Sequence, residues 1–144
     1  MILKSMERQN PPHTADLDRT IESVMSRYPS VVLAILFGSM AQDRTRDDSD
    51  LDIAVTSSTP LAAQTHLAII EDLALAVGRP VDLIDLDQTH NPLLRQILTK
   101  GRRVLCHDRT RYAELLLRMV YEEADVMPYY RRILLERRQG WIET

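Results

Sequence analysis

The sequence predicts an α/β fold with a C-terminal helical extension. Three observations lead there. The run "VVLAILF" (31–37) is continuous, apolar and rich in strand-forming residues, as expected of a fully buried strand, and "PVDLIDL" (80–86) reads as a further strand. Between them, the Ala- and Leu-rich stretch 61–77 has helical character and ends at Gly78. From Asp108 to about Arg138, apolar residues recur at helical spacing with no strand signal.

Taken in order, residues 1–13 read as a flexible lead-in containing Pro11-Pro12. Thr14 is a good N-cap for a first helix, with Asp16 and Asp18 in its first turn. Leu17, Ile21, Val24 and Met25 give that helix an apolar face, and Tyr28-Pro29-Ser30 ends it. After the first strand, Gly38-Ser39 opens a polar segment with room for one or two helical turns. "SDLDIAV" (49–55) is the second strand, followed by a Ser/Thr/Pro loop over 56–60 and the helix at 61–77. The third strand is 80–86. Asn91-Pro92 opens a short helix to about Lys100, Gly101 stops it, and "RRVLCH" is a fourth strand. In the final helix, Tyr112, Leu115, Leu116, Met119, Val120, Val126, Met127, Tyr130, Ile133 and Leu134 form a stripe, and Pro128 is expected to kink or break it. The division is a core over 14–107 and a helical extension over 108–144 belonging to the same domain.

The chain has 144 residues, 44% of them apolar and 27% charged, which suits one globular domain. A net charge of -3 gives no global sign of nucleic-acid binding, and none is expected. Cys106 is the only cysteine, so no disulfide can form within the chain; it reads as a small buried apolar residue in a protein of a reducing compartment. No run reaches the roughly 18 apolar residues that a membrane span needs, and the N-terminus has no secretory segment, so a cytoplasmic location is expected. The four histidines are too scattered to form a metal-binding spacing.

The chemistry concentrates in "GSMAQDRTRDDSDLD" (38–52). On a strand, Asp50 and Asp52 point to the same face with their stems roughly 6 to 7 Å apart. Two ionised carboxylates that close repel unless a cation lies between them. Hard oxygen ligands on a rigid strand suit Mg²⁺, completed by substrate phosphates, and two such ions would permit in-line phosphoryl or nucleotidyl transfer. A third carboxylate is wanted from a neighbouring strand. Asp82 and Asp85 face opposite ways; Asp82 is favoured because it sits inside an apolar run, and Asp85 stays open as the alternative. Gly38-Ser39, where a buried strand turns into a polar segment, can present backbone N–H groups and a hydroxyl to a triphosphate. Arg44 and Arg46 can add positive charge to the phosphates.

Gly38-Ser39, a ten-residue spacer and Asp50-x-Asp52 together resemble the signature of the DNA polymerase beta nucleotidyltransferase superfamily. "FGSMA", "DDSDLDIAV" and "RPVDLIDL" fit it, and the short chain is similar to the minimal nucleotidyltransferases (MNT). The tail "YAELLLRMVYEEADVMPYYRRILLER" is similar to that of MNT antitoxins paired with HEPN toxins. The family often has Arg-Gly where this chain has Gln42-Asp43. The resemblance implies a small mixed β-sheet flanked by helices. It also implies ATP as substrate, two Mg²⁺ ions on Asp50, Asp52 and Asp82, and a triphosphate held by Gly38 and Ser39. The implied reaction is AMP transfer to a tyrosine hydroxyl of a HEPN ribonuclease, which silences the toxin. Two other readings compete: an antitoxin acting by stoichiometric capture alone, and a nucleotidyltransferase for small molecules of the aminoglycoside type. The lack of a large acceptor-enclosing domain argues against the last. The tail's Tyr, Arg and Trp residues, among them Tyr129, Tyr130, Arg131, Arg132 and Trp141, suit a docking surface for a protein acceptor.

Overall fold

The structure is a computed structural model; it describes residues 12–38 and 50–142, with side chains described over 15–38, 50–124 and 132–137. Its elements run α1 (Pro12–Met25), β1 (Val31–Phe37), β2 (Leu51–Ser57), α2 (Ala63–Val77), β3 (Val81–Asp85), a 3-10 turn (Leu86–Gln88), α3 (Leu93–Lys100), β4 (Arg102–Cys106) and α4 (Arg109–Ile142). The four strands form one sheet in the order β3-β2-β1-β4. β1 pairs antiparallel with β2 and β4, and β2 pairs parallel with β3, so the sheet is mixed.

Each sheet face has its own apolar core. On one, Leu36, Leu51, Ile53, Val55 and Leu83 pack against Ile21, Val24 and Met25 of α1 and Ile69 and Leu73 of α2. On the other, Leu33, Ile35, Phe37 and Ala54 pack against Leu94, Ile97 and Leu98 of α3 and Leu115 of α4. β1 and β2 are covered on both sides, which is why β1 reads as a continuous apolar run. The alternation in β2 divides as expected: Leu51, Ile53 and Val55 face the first core, and Ala54 faces the second.

Several boundaries differ from expectation. α1 starts at Pro12, inside the expected lead-in, so Asp16 and Asp18 fall beyond its first turn. Proline suits a helix start, where its missing N–H is not needed. β2 begins at Leu51, leaving Asp50 just outside, and runs on through Thr56 and Ser57, which the sequence places in a loop. Both residues are buried and pair with Leu33 and Val31. Gly78 ends α2 in the left-handed conformation, φ 73°, donating its N–H to Ala74 O at 2.8 Å. α4 continues through Pro128 to Ile142, because losing one backbone donor does not end a helix bonded on both sides. Of its stripe, Leu115 is buried and Tyr112, Leu116 and Met119 pack on the second core, but Val120 and Leu134 are exposed. Val126, Met127 and Tyr130 lie outside the described side chains. Cys106 is half-buried against the second core.

Candidate active site

Three strand ends meet at one end of the sheet. Because β1 and β2 are antiparallel, the last residue of β1, Phe37, is the register partner of Asp52. Because β3 runs parallel to β2, Asp52 is in turn the partner of Asp82. Register partners on adjacent strands share a face. Asp52 and Asp82 have the parity of Ala54 and Ile84, so both belong to the α3/α4 side. The strand start is tied by Leu51 N–H donating to Pro80 O at 2.9 Å. Asp50 and Asp82 are exposed and Asp52 is half-buried.

The electrostatics follow from this crowding. Burial holds the Asp52 carboxyl above the ordinary carboxylate range, and the negative charges of Asp82 and Asp50 push it further the same way. Gly38 adds a steric constraint. Its φ is +75°, and a Cβ there would lie 2.4 Å from Asp52 Oδ2. Glycine is therefore required twice, for the left-handed backbone and for the room that the Asp52 carboxylate occupies.

Asp85, the alternative third carboxylate, is engaged elsewhere. Its Oδ1 accepts the Asp87 N–H at 3.0 Å and caps the 3-10 turn. Ser39, Arg44, Arg46 and the Gln42-Asp43 pair lie outside the described residues. Among the described residues, no three His, Cys, Asp or Glu side chains are grouped closely enough to hold a metal ion between them. The chemistry of the group nonetheless fits a hard cation. It offers carboxylate oxygens, and the neighbouring charges of Asp82 and Asp50 add to the burial that already raises Asp52.

The residues that sequence reasoning missed lie at the other end of β3. Thr56 donates its hydroxyl to Asp87 Oδ2 at 2.9 Å, and Arg111 of α4 reaches Asp87 Oδ1 at 2.5 Å. Arg118 donates to the carbonyls of Leu86 and Thr89, at 2.5 and 2.8 Å. Glu122 accepts from His90 and from the Asn91 N–H. Burial pushes Glu122 up, but those two hydrogen bonds outweigh it and hold the carboxyl below its ordinary range. Apart from the Asp85 cap position, these partners are too far apart in the chain to leave a local signal.

The family described as Polymerase beta, Nucleotidyltransferase matches residues 19–110. The chain belongs to that family. The matched span contains Gly38, Asp50, Asp52 and Asp82, and it stops just inside α4. Over 87 residues the chain is 31% identical to the protein adenylyltransferase MntA of Shewanella oneidensis, covering 60% of this chain and 63% of that protein. It thus spans less than two thirds of that relative's length. Its fold is also that of a chain in a toxin–antitoxin crystal structure with AMP-PNP, at TM-score 0.70 and 23% identity over 83% of this chain and 96% of the other. A further match is to a complex of tri-AMPylated Shewanella oneidensis HEPN toxin with MNT antitoxin, at TM-score 0.67 and 21% identity over 85% and 97% of the two chains. No helix among the described residues is long and apolar enough to cross a membrane.

Proposed function

We propose that this chain is an antitoxin that transfers AMP from ATP to a tyrosine hydroxyl of a HEPN-type toxin, with Mg²⁺ as cofactor. The observation that carries the reading is the register Phe37–Asp52–Asp82, which brings the Gly38 turn and the acids onto one end of one sheet face. Its 31% identity to a protein adenylyltransferase supports the chemistry.

In this reading Asp50 and Asp52 hold the cation. When bound, Mg²⁺ would neutralise the carboxylates and draw charge from the phosphates as the leaving pyrophosphate develops. Gly38 and Ser39 steady the triphosphate, with Arg44 and Arg46 adding charge. Asp82, exposed at the sheet edge, accepts the tyrosine proton as the phenolic oxygen attacks the α-phosphorus. The bond to pyrophosphate breaks and AMP remains on the tyrosine. Asp50 and Asp82 are open to solvent, so a protein surface can deliver its hydroxyl directly.

The test is to incubate the chain with ATP, Mg²⁺ and the cognate toxin and weigh the toxin by mass spectrometry. Mass gains of whole AMP units are expected, abolished in Asp50→Ala/Asp52→Ala. Protection of cells by that double variant would instead favour neutralisation by capture alone.

A further inference from the structure

β3 is a weak strand in a demanding position. It is five residues long and lies at the sheet edge. Only Leu83 in it is fully buried; Val81, Ile84 and Asp85 are half-buried and Asp82 is exposed. Among the described residues its one strand neighbour is β2. Yet it must hold Asp82 beside Asp52 although the two carboxylates repel. A slip of one residue would turn Asp82 to the opposite face. A strand so thinly buried needs anchoring at its ends.

The N-terminal anchor is the Leu51–Pro80 backbone hydrogen bond. The C-terminal one is made of side chains. Thr56 is the first β2 residue beyond the paired stretch that ends with Val55 opposite Asp85. Its buried hydroxyl donates to Asp87 Oδ2 and accepts Arg111 Nε–H at 3.3 Å. Arg111 Nη2 closes the triangle on Asp87 Oδ1. The turn that carries Asp87 is held in its own shape by the Asp85 cap and by Thr89 Oγ1 donating to Asp85 O at 2.7 Å. Thr56 belongs to the well-buried strand β2, so the triangle fastens the edge strand to the rigid one, with α4 supplying the cation. A charge-assisted contact of this kind is stronger than a neutral one.

We infer that Thr56, Asp87 and Arg111 form a register lock that positions Asp82 against Asp52, so that α4 sets the geometry of the site without touching the substrate. The three are positioning residues. The inference rests on the transfer reaction proposed above only for its kinetic consequence; the lock itself is a property of β3.

The test compares Thr56→Val, which keeps shape and loses the hydroxyl, with Thr56→Ser, which keeps the hydroxyl, and with Asp87→Asn, which weakens the Arg111 contact. Amide hydrogen exchange is measured on the full chain, and steady-state transfer to the toxin is measured alongside. In Thr56→Val and Asp87→Asn, exchange across 81–85 should rise about tenfold or more while β1 keeps its protection, as expected for a local opening. The kcat for transfer should fall about 10- to 100-fold, in line with the sensitivity of catalysis to roughly 1 Å of misplacement, while KM for ATP changes little. Thr56→Ser should restore both. Unchanged exchange in β3 would overturn the lock. Raised exchange with unchanged kcat would overturn its positioning role. If wild type transfers no AMP, the proposed function fails, and the exchange comparison still decides the lock.

Discussion

Gly38→Ala isolates the steric demand of the site. Two effects combine at this position. The backbone sits at φ +75°, where an L side chain costs roughly 1–2 kcal/mol. The new Cβ would also meet Asp52 Oδ2 at 2.4 Å and Asp52 Cγ at 3.3 Å, so something must shift. The β2 backbone is poorly placed to yield, because Leu51 and Ile53 on either side of Asp52 are fully buried. The carboxylate itself must therefore rotate away. Gly78→Ala supplies the control: its φ is +73°, but a Cβ there meets nothing within 4 Å. Gly78→Ala should lose about 1–2 kcal/mol, a fall in Tm of roughly 3–8 °C for a chain of this size, and Gly38→Ala at least as much. Only Gly38→Ala should also lose activity, by about 100-fold if the carboxylate moves by roughly 1 Å. Thermal unfolding by circular dichroism and AMP transfer followed by intact mass would measure the two effects. Equal transfer rates in the two variants would refute the claim that Gly38 makes room for the Asp52 carboxylate.

Three further outcomes follow from the same geometry. Asp52→Asn should abolish transfer yet raise Tm near pH 7. The folded carboxyl is held above its ordinary range, so its contribution is favourable at low pH and is lost as pH rises through that raised value; the gain on removing the charge should therefore shrink on acidification, as scanning calorimetry at several pH values would record. Adding Mg²⁺ with a non-hydrolysable ATP analogue at about 100 times its Kd should stabilise wild type by about 2.7 kcal/mol and leave Asp50→Ala/Asp52→Ala unmoved in a thermal-shift assay. Arg118→Ala removes a partly buried cation from the Leu86 and Thr89 carbonyls and should cost about 1.5–3 kcal/mol by urea unfolding, because hydrogen bonds to charged groups are the stronger kind.

The division between what could be read in advance and what could not has a physical basis. That Asp82 and Asp85 face opposite ways follows from the period of two along the strand and was legible, but that Asp82 is the one on the Asp52 face depends on the β2–β3 register, which the sequence left open. Gly78 was legible because a helix end needs a left-handed residue there. The extension of β2 through Thr56 and Ser57 was not, since polar residues in a Ser/Thr/Pro run carry a loop signal. Thr56 is buried only because Asp87 and Arg111, distant in sequence, satisfy its hydroxyl. The role of Gly38 was half legible. A turn glycine after a strand was evident, but that its missing Cβ faces Asp52 depends on the β1–β2 register. The continuity of α4 through Pro128 ran against its strongest local signal.

The site places like charges together beside a thinly buried edge strand, and this bears on where the domain ends. Repulsion at Asp52 works against the fold wherever no cation intervenes, so whatever holds β3 in place must come from outside the acidic group. β2 is anchored on both faces by α1, α2 and α3, whereas β3 reaches the second core chiefly through Ile84 and the 3-10 turn at Leu86. That turn is gripped by Arg111 and Arg118, both beyond residue 110, where the family match stops. The first turns of α4 thus belong with the site they brace. Its outer surface carries Leu117, Val120 and Tyr121, each more than half exposed. A toxin bound there would press on the same helix that supplies Arg111. Toxin binding and the Asp52–Asp82 spacing would then be coupled, and by reciprocity ATP and metal at the site should tighten toxin binding to wild type more than to Arg111→Lys. Equal tightening in both would separate docking from positioning.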